Sequence, residues 1–406
     1  APHAQPAPTT PLHWMAPFFS GGGYSSEAIS FVLGLEAAGV RVTIEQHGDS
    51  YSHAFASSLD VPTARTLQAA WRRPVTASQA VVVCHSEPGA WQPPRYPTSP
   101  CPPPGSLYTV GRTMFETDRL PAGWEDRINS MHEVWVPTRF HAGVFEAGGV
   151  APHKVVVVPE PVDTDFFDPG AAVALRPPTS YNIDSASTAF KFLSVFKWEY
   201  RKGWDVLLGA FGAEFGGAAD SAELYILTSS YHSSDDFADA IRGHLETVLP
   251  NAAAVAAVLR RVHLVDRVPQ GDLPSVYNAV DAFVLPSRGE GWGRPHVEAM
   301  SMGLPVIATN WSGPTAFMTD ANSYPLPYTG LSPIPDGAFK GHLMADPSVA
   351  DLQAIMRGVV EDPAAAAAKG ARARQDMVAK YSPARVAGFV AHQLARIEYE
   401  LQHAQP

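Results

Sequence analysis

The sequence has few cysteines, few charged residues and no long apolar segment, and each shortage excludes a class of protein. Its two cysteines, Cys84 and Cys101, permit one disulfide and exclude a disulfide framework. A bridge would require an oxidising compartment, and two free thiols are an equally open alternative. Acidic residues outnumber basic ones, and the formal net charge of -11 argues against nucleic acid as the main partner. No apolar run approaches the roughly 20 residues of a membrane span.

The length and the apolar content favour two domains with substantial cores. The chain has 406 residues, of which 46% are hydrophobic. Short apolar runs, such as residues 80–84 and 281–285, are typical of buried parallel strands. A stretch rich in proline, alanine, serine and threonine, residues 168–188, is expected to link the domains. The sequence begins at Ala1 without a methionine, as a processed or truncated chain would, and its compartment stays open between the cytoplasm and the secretory lumen.

The densest functional signal lies in residues 285–299. A predicted strand leads directly into a glycine-rich loop, and Pro295 then occupies a position that favours the start of a helix. Gly291 and Gly293 allow backbone N–H groups to approach a ligand closely. Because the start of a helix attracts negative charge, this order of elements predicts an anion-binding loop.

Two carboxylates bracket this loop. Glu290 is expected to project from the loop at the carboxyl end of the strand, and Glu298 from the first turn of the helix. One carboxylate can accept hydrogen bonds from sugar hydroxyls, while the other accepts them from the two hydroxyls of a ribose. Charge-assisted hydrogen bonds of this kind contribute roughly 1.5–3 kcal/mol each. The pair therefore suits a ligand that combines a sugar with a nucleoside.

The segment from Pro286 to Glu298, with seven residues between its two glutamates, resembles the signature of retaining nucleotide-sugar glycosyltransferases of the GT-B fold, most closely family 4. The resemblance extends over nearly the whole chain. It implies an α/β protein in which two Rossmann-like β/α/β domains face each other across a cleft. It assigns residues 1–175 to an N-terminal acceptor domain and residues 186–382 to a C-terminal nucleotide-sugar donor domain. A final helix, residues 383–406, is expected to cross back to the N-terminal domain.

The resemblance also implies which residues bind the donor. Lys197 and Lys202 stand where the family places two cations for the diphosphate, and Arg201 is a further cation beside them. A lysine supplies charge without the bidentate fork of an arginine. Ordinary surface charge before a helix is the structural alternative. Arg267 and Val268 would offer backbone groups to a nucleobase. The full implied set is Gly22, Gly23, Lys197, Lys202, Arg267, Val268, Glu290, Gly291, Trp292, Gly293, Arg294 and Glu298.

In the N-terminal half, two features follow predicted strands. Residues 20–24 contain three consecutive glycines, which could form a tight turn, and the family carries a glycine-rich loop at this place. His85 stands at the carboxyl end of a buried strand, the edge where ligands of open α/β sheets bind. It is a candidate acceptor residue, with a purely structural histidine as the alternative.

Many family members place a histidine after the strand that corresponds to residues 107–111, close to the reacting anomeric carbon. This chain has Glu116, Thr117 and Asp118 in that region and no histidine between residues 107 and 121. A carboxylate could accept the proton of an acceptor hydroxyl or stabilise positive charge. A helix cap or a salt bridge to a neighbouring arginine is the structural alternative. The candidate catalytic residues are Glu290, Lys197, Lys202, Glu116 and Asp118.

The implied activity is transfer of a sugar from a nucleotide diphosphate sugar to a hydroxyl, with retention and without a metal ion. A UDP-sugar is favoured over GDP-mannose as the donor, and no cofactor is expected beyond this co-substrate. The acceptor, which could be a glycan, a protein, a lipid or a small molecule, stays open. The alternatives are a catalytically inactive nucleotide-sugar-binding homologue, a GT-B phosphorylase, and a glycoside hydrolase with the two glutamates as its acid–base pair.

Overall fold

A computed structural model describes residues 9–172, 175, 177–217, 222–230 and 236–403. These residues divide into two compact units. The first comprises Ala1–Phe115, Arg119–Asp163 and Ala379–Pro406, and the second comprises Glu116–Asp118 and Thr164–Val378. Of the predicted N-terminal domain, residues 1–8, 173 and 174 lie outside the described part.

The observed boundary differs from the sequence-based one at residues 175–186. The main part of the second unit begins at Thr164, and Phe167 already forms hydrogen bonds within that unit. Its carbonyl oxygen accepts hydrogen bonds from Ser301 at 2.9 Å and from Arg374 at 3.0 Å. The three-residue segment Glu116–Asp118 also belongs to the second unit, although the sequence places it inside the first domain.

The described part of the first unit is an α/β sheet covered by helices. Its strands are β1 (Leu12–Ala16), β2 (Val42–Gln46), β3 (Val81–His85), β4 (Tyr108–Arg112), β5 (Glu133–Val136) and β6 (Val155–Val157). Its first five helices are α1 (Gly23–Ala37), α2 (His53–Ser58), α3 (Val61–Trp71), α4 (Trp124–Asn129) and α5 (Arg139–Ala147). All strand pairs are parallel, in the order β2-β1-β3-β4-β5-β6. Continuous apolar strands such as β3 are buried along their length, as parallel sheets with covered faces require.

The described part of the second unit repeats this plan with another strand order. Its strands are β7 (Phe190–Trp198), β8 (Ala222–Ser230), β9 (Val262–Leu264), β10 (Ala282–Leu285), β11 (Val306–Thr309), β12 (Tyr324–Leu326), β13 (Tyr328–Pro333) and β14 (Leu343–Pro347). Its helices are α6 (Pro169–Ala172), α7 (Trp204–Phe215), α8 (Phe237–Val248), α9 (Ala252–Leu259), α10 (Leu273–Tyr277), α11 (Arg294–Ser301), α12 (Val349–Glu361) and α13 (Pro363–Asp376). The parallel sheet runs β12-β11-β10-β7-β8-β9, and β13 and β14 form a separate antiparallel hairpin. The strand order therefore reverses between β7 and β10, the point where ligands bind in doubly wound sheets.

The last helix, α14 (Pro383–His403), lies in the first unit and packs against α1. Its buried face recurs at intervals of three and four residues, namely Val386, Ala387, Val390, Leu394 and Ile397. These side chains share one hydrophobic core with the buried residues of α1 and β1. Among the helices of the described residues, none combines the length and the apolar composition needed to cross a bilayer.

The two cysteines form a disulfide, which decides between the two alternatives left open by the sequence. Cys84 lies in β3, and Cys101 lies in the proline-rich loop of residues 93–104, with 5.8 Å between their Cα atoms. This loop contains no helix or strand, as its seven prolines predict. The disulfide therefore attaches an irregular loop to a buried strand of the first sheet.

Candidate functional site

Two loops meet at the carboxyl ends of β7 and β10. The first loop turns through Tyr200–Lys202 into α7, and the second is the glycine-rich stretch of residues 286–293. Arg288 joins them, because its guanidinium forms two parallel hydrogen bonds to the Asp205 carboxylate at 2.8 and 2.7 Å. The Arg288 backbone N–H also donates to the Arg201 carbonyl at 2.7 Å. Bidentate pairs of this kind fix geometry as well as contribute energy, so the two loops are held in a defined arrangement.

The centre of the site is the Glu290 carboxylate, which is only 5% exposed. The Lys202 ammonium donates to both of its oxygens, at 2.8 and 2.9 Å. Arg201 donates to Oε2 at 3.1 Å and to the Gly289 carbonyl at 2.8 Å. The backbone N–H of Glu290 donates to the Ser312 hydroxyl at 2.9 Å. The structure thus brings together two predicted residues, Glu290 and Lys202, with Arg201 as the second cation.

The charges of this cluster are strongly coupled. Burial alone would raise the pKa of Glu290, but the charges of Lys202 and Arg201 lower it to about 2. Burial and the neighbouring guanidinium of Arg201 lower the pKa of Lys202, against the attraction of Glu290. Burial lowers the pKa of His296 to about 4, so this histidine is neutral at pH 7. Glu290 therefore stays ionised at all physiological pH values.

Arg201 also contacts two further carboxylates. Its NH2 atom lies 2.8 Å from Glu199 Oε1 and 3.6 Å from Glu116 Oε1. The Glu116 backbone lies against Gly289, where a Cβ atom would stand only 2.2 Å from the Glu116 carbonyl oxygen. Glu116, the candidate catalytic carboxylate, is therefore placed beside the Glu290 cluster.

The rest of this segment is attached to the β13–β14 hairpin. The Asp118 carboxylate accepts a hydrogen bond from the Leu343 backbone N–H at 2.6 Å, and the Asp118 backbone N–H donates to the Leu343 carbonyl at 3.2 Å. The Thr117 hydroxyl lies 2.8 Å from His342 Nδ1. This geometry favours a positioning role for Asp118, with a backbone partner that the sequence did not suggest.

Lys197, the other predicted donor cation, lies within β7 and has an exposed side chain. Strand β7 continues through Trp198, where it pairs with Ser230 of β8, so the turn that carries the buried cations begins after it. Of the two candidate lysines, Lys202 donates hydrogen bonds to Glu290, at 2.8 and 2.9 Å.

Glu298 forms a second group on α11. Its Oε2 atom accepts a hydrogen bond from the Tyr277 hydroxyl at 3.0 Å. Burial raises the pKa of Glu298, although the charge of Arg294 and the hydrogen bond from Tyr277 act in the opposite direction. Arg294 is the first residue of α11 and thus lies one helical turn before Glu298. Two buried carboxylates of one motif therefore have opposite pKa shifts.

The glycines of the loop are required where the backbone turns into α11. Gly293 caps this helix with a φ of 106°, a conformation that side chains rarely adopt, and a Cβ atom there would stand 2.7 Å from His296 Nδ1. Gly291 precedes it in the loop. Trp292 between them is buried, with its ring 5.0 Å from the ring of Phe317. The backbone thus bends sharply just before the helix start, as an anion-binding loop requires.

The remaining donor candidates lie elsewhere. Arg267 is exposed and Val268 half-buried, in the connection between β9 and α10. Gly22 caps α1 and Gly23 begins it, both in the first unit. A Cβ atom at Gly23 would have no other heavy atom within 4 Å, so neither the turn nor the packing explains a glycine at this position.

His85, the candidate acceptor residue, is completely buried in the first unit. Trp14 Nε1 donates to its Nδ1 at 3.1 Å, and its Nε2 lies 3.0 Å from Glu27 Oε2. The same carboxylate accepts a hydrogen bond from Arg112 Nε at 2.7 Å. Burial lowers the pKa of His85, against the attraction of Glu27. These contacts favour the structural alternative, in which His85 and Glu27 satisfy each other inside the core.

Sequence reasoning overlooked the residues that hold the site together. Arg288 lies inside the recognised motif, so its presence was visible, but its partner Asp205 is 83 residues away in the chain. Tyr277 ends the helix before β10, and Ser312 follows β11. Their positions next to buried strands of one sheet were the only signal in the sequence, and it was weak. Ser312 has a φ of 59°, a rare conformation for a residue other than glycine, and such strained positions concentrate at functional sites.

Comparison with known proteins points to one class. Residues 189–326 match the family model described as Glycosyl transferases group 1. A D-inositol 3-phosphate glycosyltransferase from Segniliparus rotundus is 26% identical over 213 residues, which are 51% of this chain and 40% of that relative. The chain spans less than half the length of the curated relatives it matches. The matched domain contains both glutamates, Lys202 and Arg201.

Solved structures establish the fold. The Anabaena protein Alr3699/HepE in complex with UDP and glucose superposes with a TM-score of 0.67, at 14% identity, over 95% of this chain and all of that one. The sucrose-phosphate synthase of Thermosynechococcus elongatus gives a TM-score of 0.65, at 15% identity, over 98% and 100% of the two chains. The two Rossmann-like units thus have the GT-B fold, as predicted, and together with the family match they support a glycosyltransferase.

Proposed function

We propose that this protein is a retaining glycosyltransferase of the family 4 type. It transfers a sugar from a nucleotide diphosphate sugar, preferably a UDP-sugar, to a hydroxyl acceptor. The observation that carries this proposal is the cluster of Glu290, Lys202 and Arg201 at the point where the strand order of the second sheet reverses. UDP is bound in the structure of the HepE neighbour, which supports uridine as the base.

The two cations and the helix start would together bind the diphosphate. Lys202 and Arg201 supply two positive charges, and α11 directs the positive end of its dipole at the loop. These groups offset the phosphate charges without a metal ion. Both cations form ion pairs with Glu290, so a diphosphate would compete with this carboxylate for them.

Two carboxylates would bind the parts of the donor other than the diphosphate. Glu298 would accept hydrogen bonds from the ribose hydroxyls, and Glu290 would orient the sugar by accepting hydrogen bonds from the sugar hydroxyls. Glu116, which contacts Arg201, lies where it can act on the acceptor hydroxyl or on developing positive charge. The two carboxylates differ in charge environment, because Lys202 and Arg201 lower the pKa of Glu290, whereas burial outweighs the charge of Arg294 and raises the pKa of Glu298.

The reaction would proceed on one face of the sugar. The bond between the anomeric carbon and the β-phosphate oxygen breaks, and the acceptor oxygen forms a bond to the same carbon. The acceptor proton passes to the departing diphosphate, so a hydroxyl acceptor and the donor give a glycoside and a nucleoside diphosphate. Lys202 and Arg201 act by stabilising the leaving diphosphate, and the protein otherwise contributes by positioning.

A panel of UDP- and GDP-sugars without added metal tests the proposal. Thermal stabilisation and release of nucleoside diphosphate are followed for the wild type, for Glu298→Ala and for Lys202→Ala. We expect one donor to stabilise the protein and to be slowly hydrolysed, with both effects lost in the variants. Stabilisation without turnover, even with acceptor mixtures, would instead indicate the non-catalytic homologue. An absence of binding to every nucleotide sugar would refute the proposal.

A substitution at Glu298 is expected to have opposite effects on the thermal stability of the protein and on its affinity for UDP. Because burial raises its pKa, the ionised side chain costs stability, and this cost appears as the pH rises through the raised pKa. Glu298→Gln keeps a partner for Tyr277 and removes the charge. We therefore expect its melting temperature to exceed that of the wild type at pH 8 and to approach it as the pH falls towards about 4.3. Its affinity for UDP should fall at least about tenfold, since ribose loses an ionised acceptor.

Glu361→Gln is the matched control for this experiment, because Glu361 is exposed at the end of α12. Melting curves with and without UDP between pH 5 and 8, together with calorimetric titration, give both quantities. A lower melting temperature for Glu298→Gln at pH 8 would mean that its charge stabilises the unliganded fold. Unchanged UDP affinity would remove Glu298 from the ribose site.

A further inference from the structure

The first unit exposes a cluster of aromatic rings beside β1 and β2. Phe19, in the loop after β1, is buried, and the rings of Trp71 and Tyr51 pack on it with centroids 5.0 and 5.3 Å away. Trp71 is 43% exposed and Tyr51 42% exposed, and their rings lie 6.4 Å from each other. The rings of Trp71 and Tyr51 thus pack on Phe19 and remain partly exposed to solvent. Contiguous exposed apolar surface of this kind marks a binding site more often than chance.

This cluster forms one wall of a cavity of about 620 Å³. Helix α3 lines the cavity with Val61, Ala64, Arg65, Gln68 and Trp71, and Arg72 follows directly at the end of this helix. These positions recur every three or four residues, so they form a single helix face. Leu67 and Ala70, on the other side of α3, are buried in the core of the unit. The cavity therefore combines apolar surface with a few polar groups, as small-molecule and glycan sites do.

The cavity carries positive charge in an acidic protein. Its lining includes Arg65 and Arg72 but, among the residues that the structure describes, no aspartate or glutamate. Both arginine side chains are exposed, and neither guanidinium forms an ion pair with another of the described residues. The chain as a whole has a net charge of -11, so this local excess of positive charge is not a general property of its surface. A ligand of this cavity should be anionic.

We propose that this cavity binds an acidic oligosaccharide. Sugar rings present an apolar face of C–H groups, which can stack on the exposed parts of the Trp71 and Tyr51 rings, while their hydroxyls bond to Gln68. Carboxylate, sulfate or phosphate groups on the chain pair with Arg65 and Arg72, whose planar guanidinium groups suit such oxyanions.

The spacing of the arginines distinguishes a chain from a small anion. Arg72 follows Arg65 by seven positions, which corresponds to about 10 Å along the helix axis between their backbone positions. A mononucleotide or a single inorganic ion concentrates its charge at one point and matches this spacing less well. Charges distributed along several sugar rings can meet both. This inference concerns the first unit and does not depend on the proposed transfer reaction.

The full-length protein is titrated calorimetrically with three trisaccharides of equal length: a uronic acid trisaccharide, a sulfated one and a neutral one. We expect the acidic probes to bind at least about tenfold more tightly than the neutral one, and the preference to weaken as salt is raised. Comparison of the first two probes identifies the anionic group. Trp71→Ala should weaken binding of all three about tenfold or more, because the stacking surface is lost.

The charge part of the inference is tested by the double variant Arg65→Ala/Arg72→Ala, whose changes lie on the surface and keep the aromatic cluster. It should bind the acidic and neutral probes equally. Tyr399→Ala and Arg41→Ala, exposed residues of the same unit outside the cavity, serve as controls and should bind like the wild type. Failure of every trisaccharide to bind, equal binding of acidic and neutral probes by the wild type, or tighter competition by a mononucleotide would each overturn the proposal.

Discussion

Glu290→Gln is expected to abolish sugar transfer while nucleotide binding survives. Glu290 accepts hydrogen bonds from both cations, at 2.8 and 2.9 Å from Lys202 and at 3.1 Å from Arg201. A neutral glutamine releases these charges for the diphosphate, so the affinity for UDP should stay the same or rise. The sugar loses an ionised acceptor that fixes its orientation, and kcat should fall by about 100- to 1,000-fold, or roughly 2.7–4 kcal/mol.

The same substitution should destabilise the unliganded protein by about 1–3 kcal/mol, because the largely buried Lys202 loses its carboxylate partner, whereas Arg201 keeps Glu199 and Glu116. UDP replaces that partner, so the increase in melting temperature on adding UDP should be larger in the variant than in the wild type. Glu361→Gln again provides a control with the same chemical change on the surface. If UDP binding and turnover were lost together, Glu290 would be needed to keep the loop in shape rather than to orient the sugar.

The sequence predicted those parts of the site that lie close together in the chain. Glu290, Gly293 and Glu298 fall in one strand–loop–helix unit, and the order of these elements alone places them at the carboxyl end of a buried strand. The same local logic predicted the two α/β domains, since short apolar runs alternate with helices throughout. The fold could therefore be predicted from periodicity and from the resemblance of one motif to a known family.

What the sequence could not provide are the contacts between distant segments. Asp118 pairs with the backbone of Leu343, 225 residues away, and this pairing carries Glu116 into the second unit. Nothing in the local sequence of Glu116 indicates that neighbour. The bond between Tyr277 and Glu298 and the pair of Arg288 with Asp205 are hidden for the same reason. His85 is a further example, since its position at a strand end gave no sign of the buried Glu27 beside it, whose contact favours the structural alternative.

The assignment of the second donor cation rests on the length of one strand. The sequence suggests that β7 ends at Phe196, which places Lys197 in the following loop. The observed strand extends to Trp198. The turn therefore begins after Trp198, and Arg201 in this turn accompanies Lys202 at Glu290.

Removing each cation in turn tests this assignment. We expect Lys202→Ala and Arg201→Ala each to lower kcat/KM for the donor by about 100-fold or more, because each removes a charge from a largely buried cluster. Lys197→Ala is expected to cost less than about tenfold, since an exposed charge is screened by solvent. Steady-state kinetics at saturating acceptor measure all three variants.

The stability of the Lys202→Ala variant provides an independent check. The pKa of Glu290 is lowered to about 2, so its ion pairs stabilise the fold above the ordinary glutamate pKa of about 4.3 and cease to do so as the pH falls through the lowered value. Without Lys202 that pKa rises, and part of the stability at pH 7 is lost, whereas Lys197→Ala should melt like the wild type. If Lys197→Ala instead reduced donor turnover as much as Arg201→Ala, the sequence-based assignment would stand. Arg201 would then serve mainly to neutralise Glu116, Glu199 and Glu290, and the diphosphate would be bound by the two lysines.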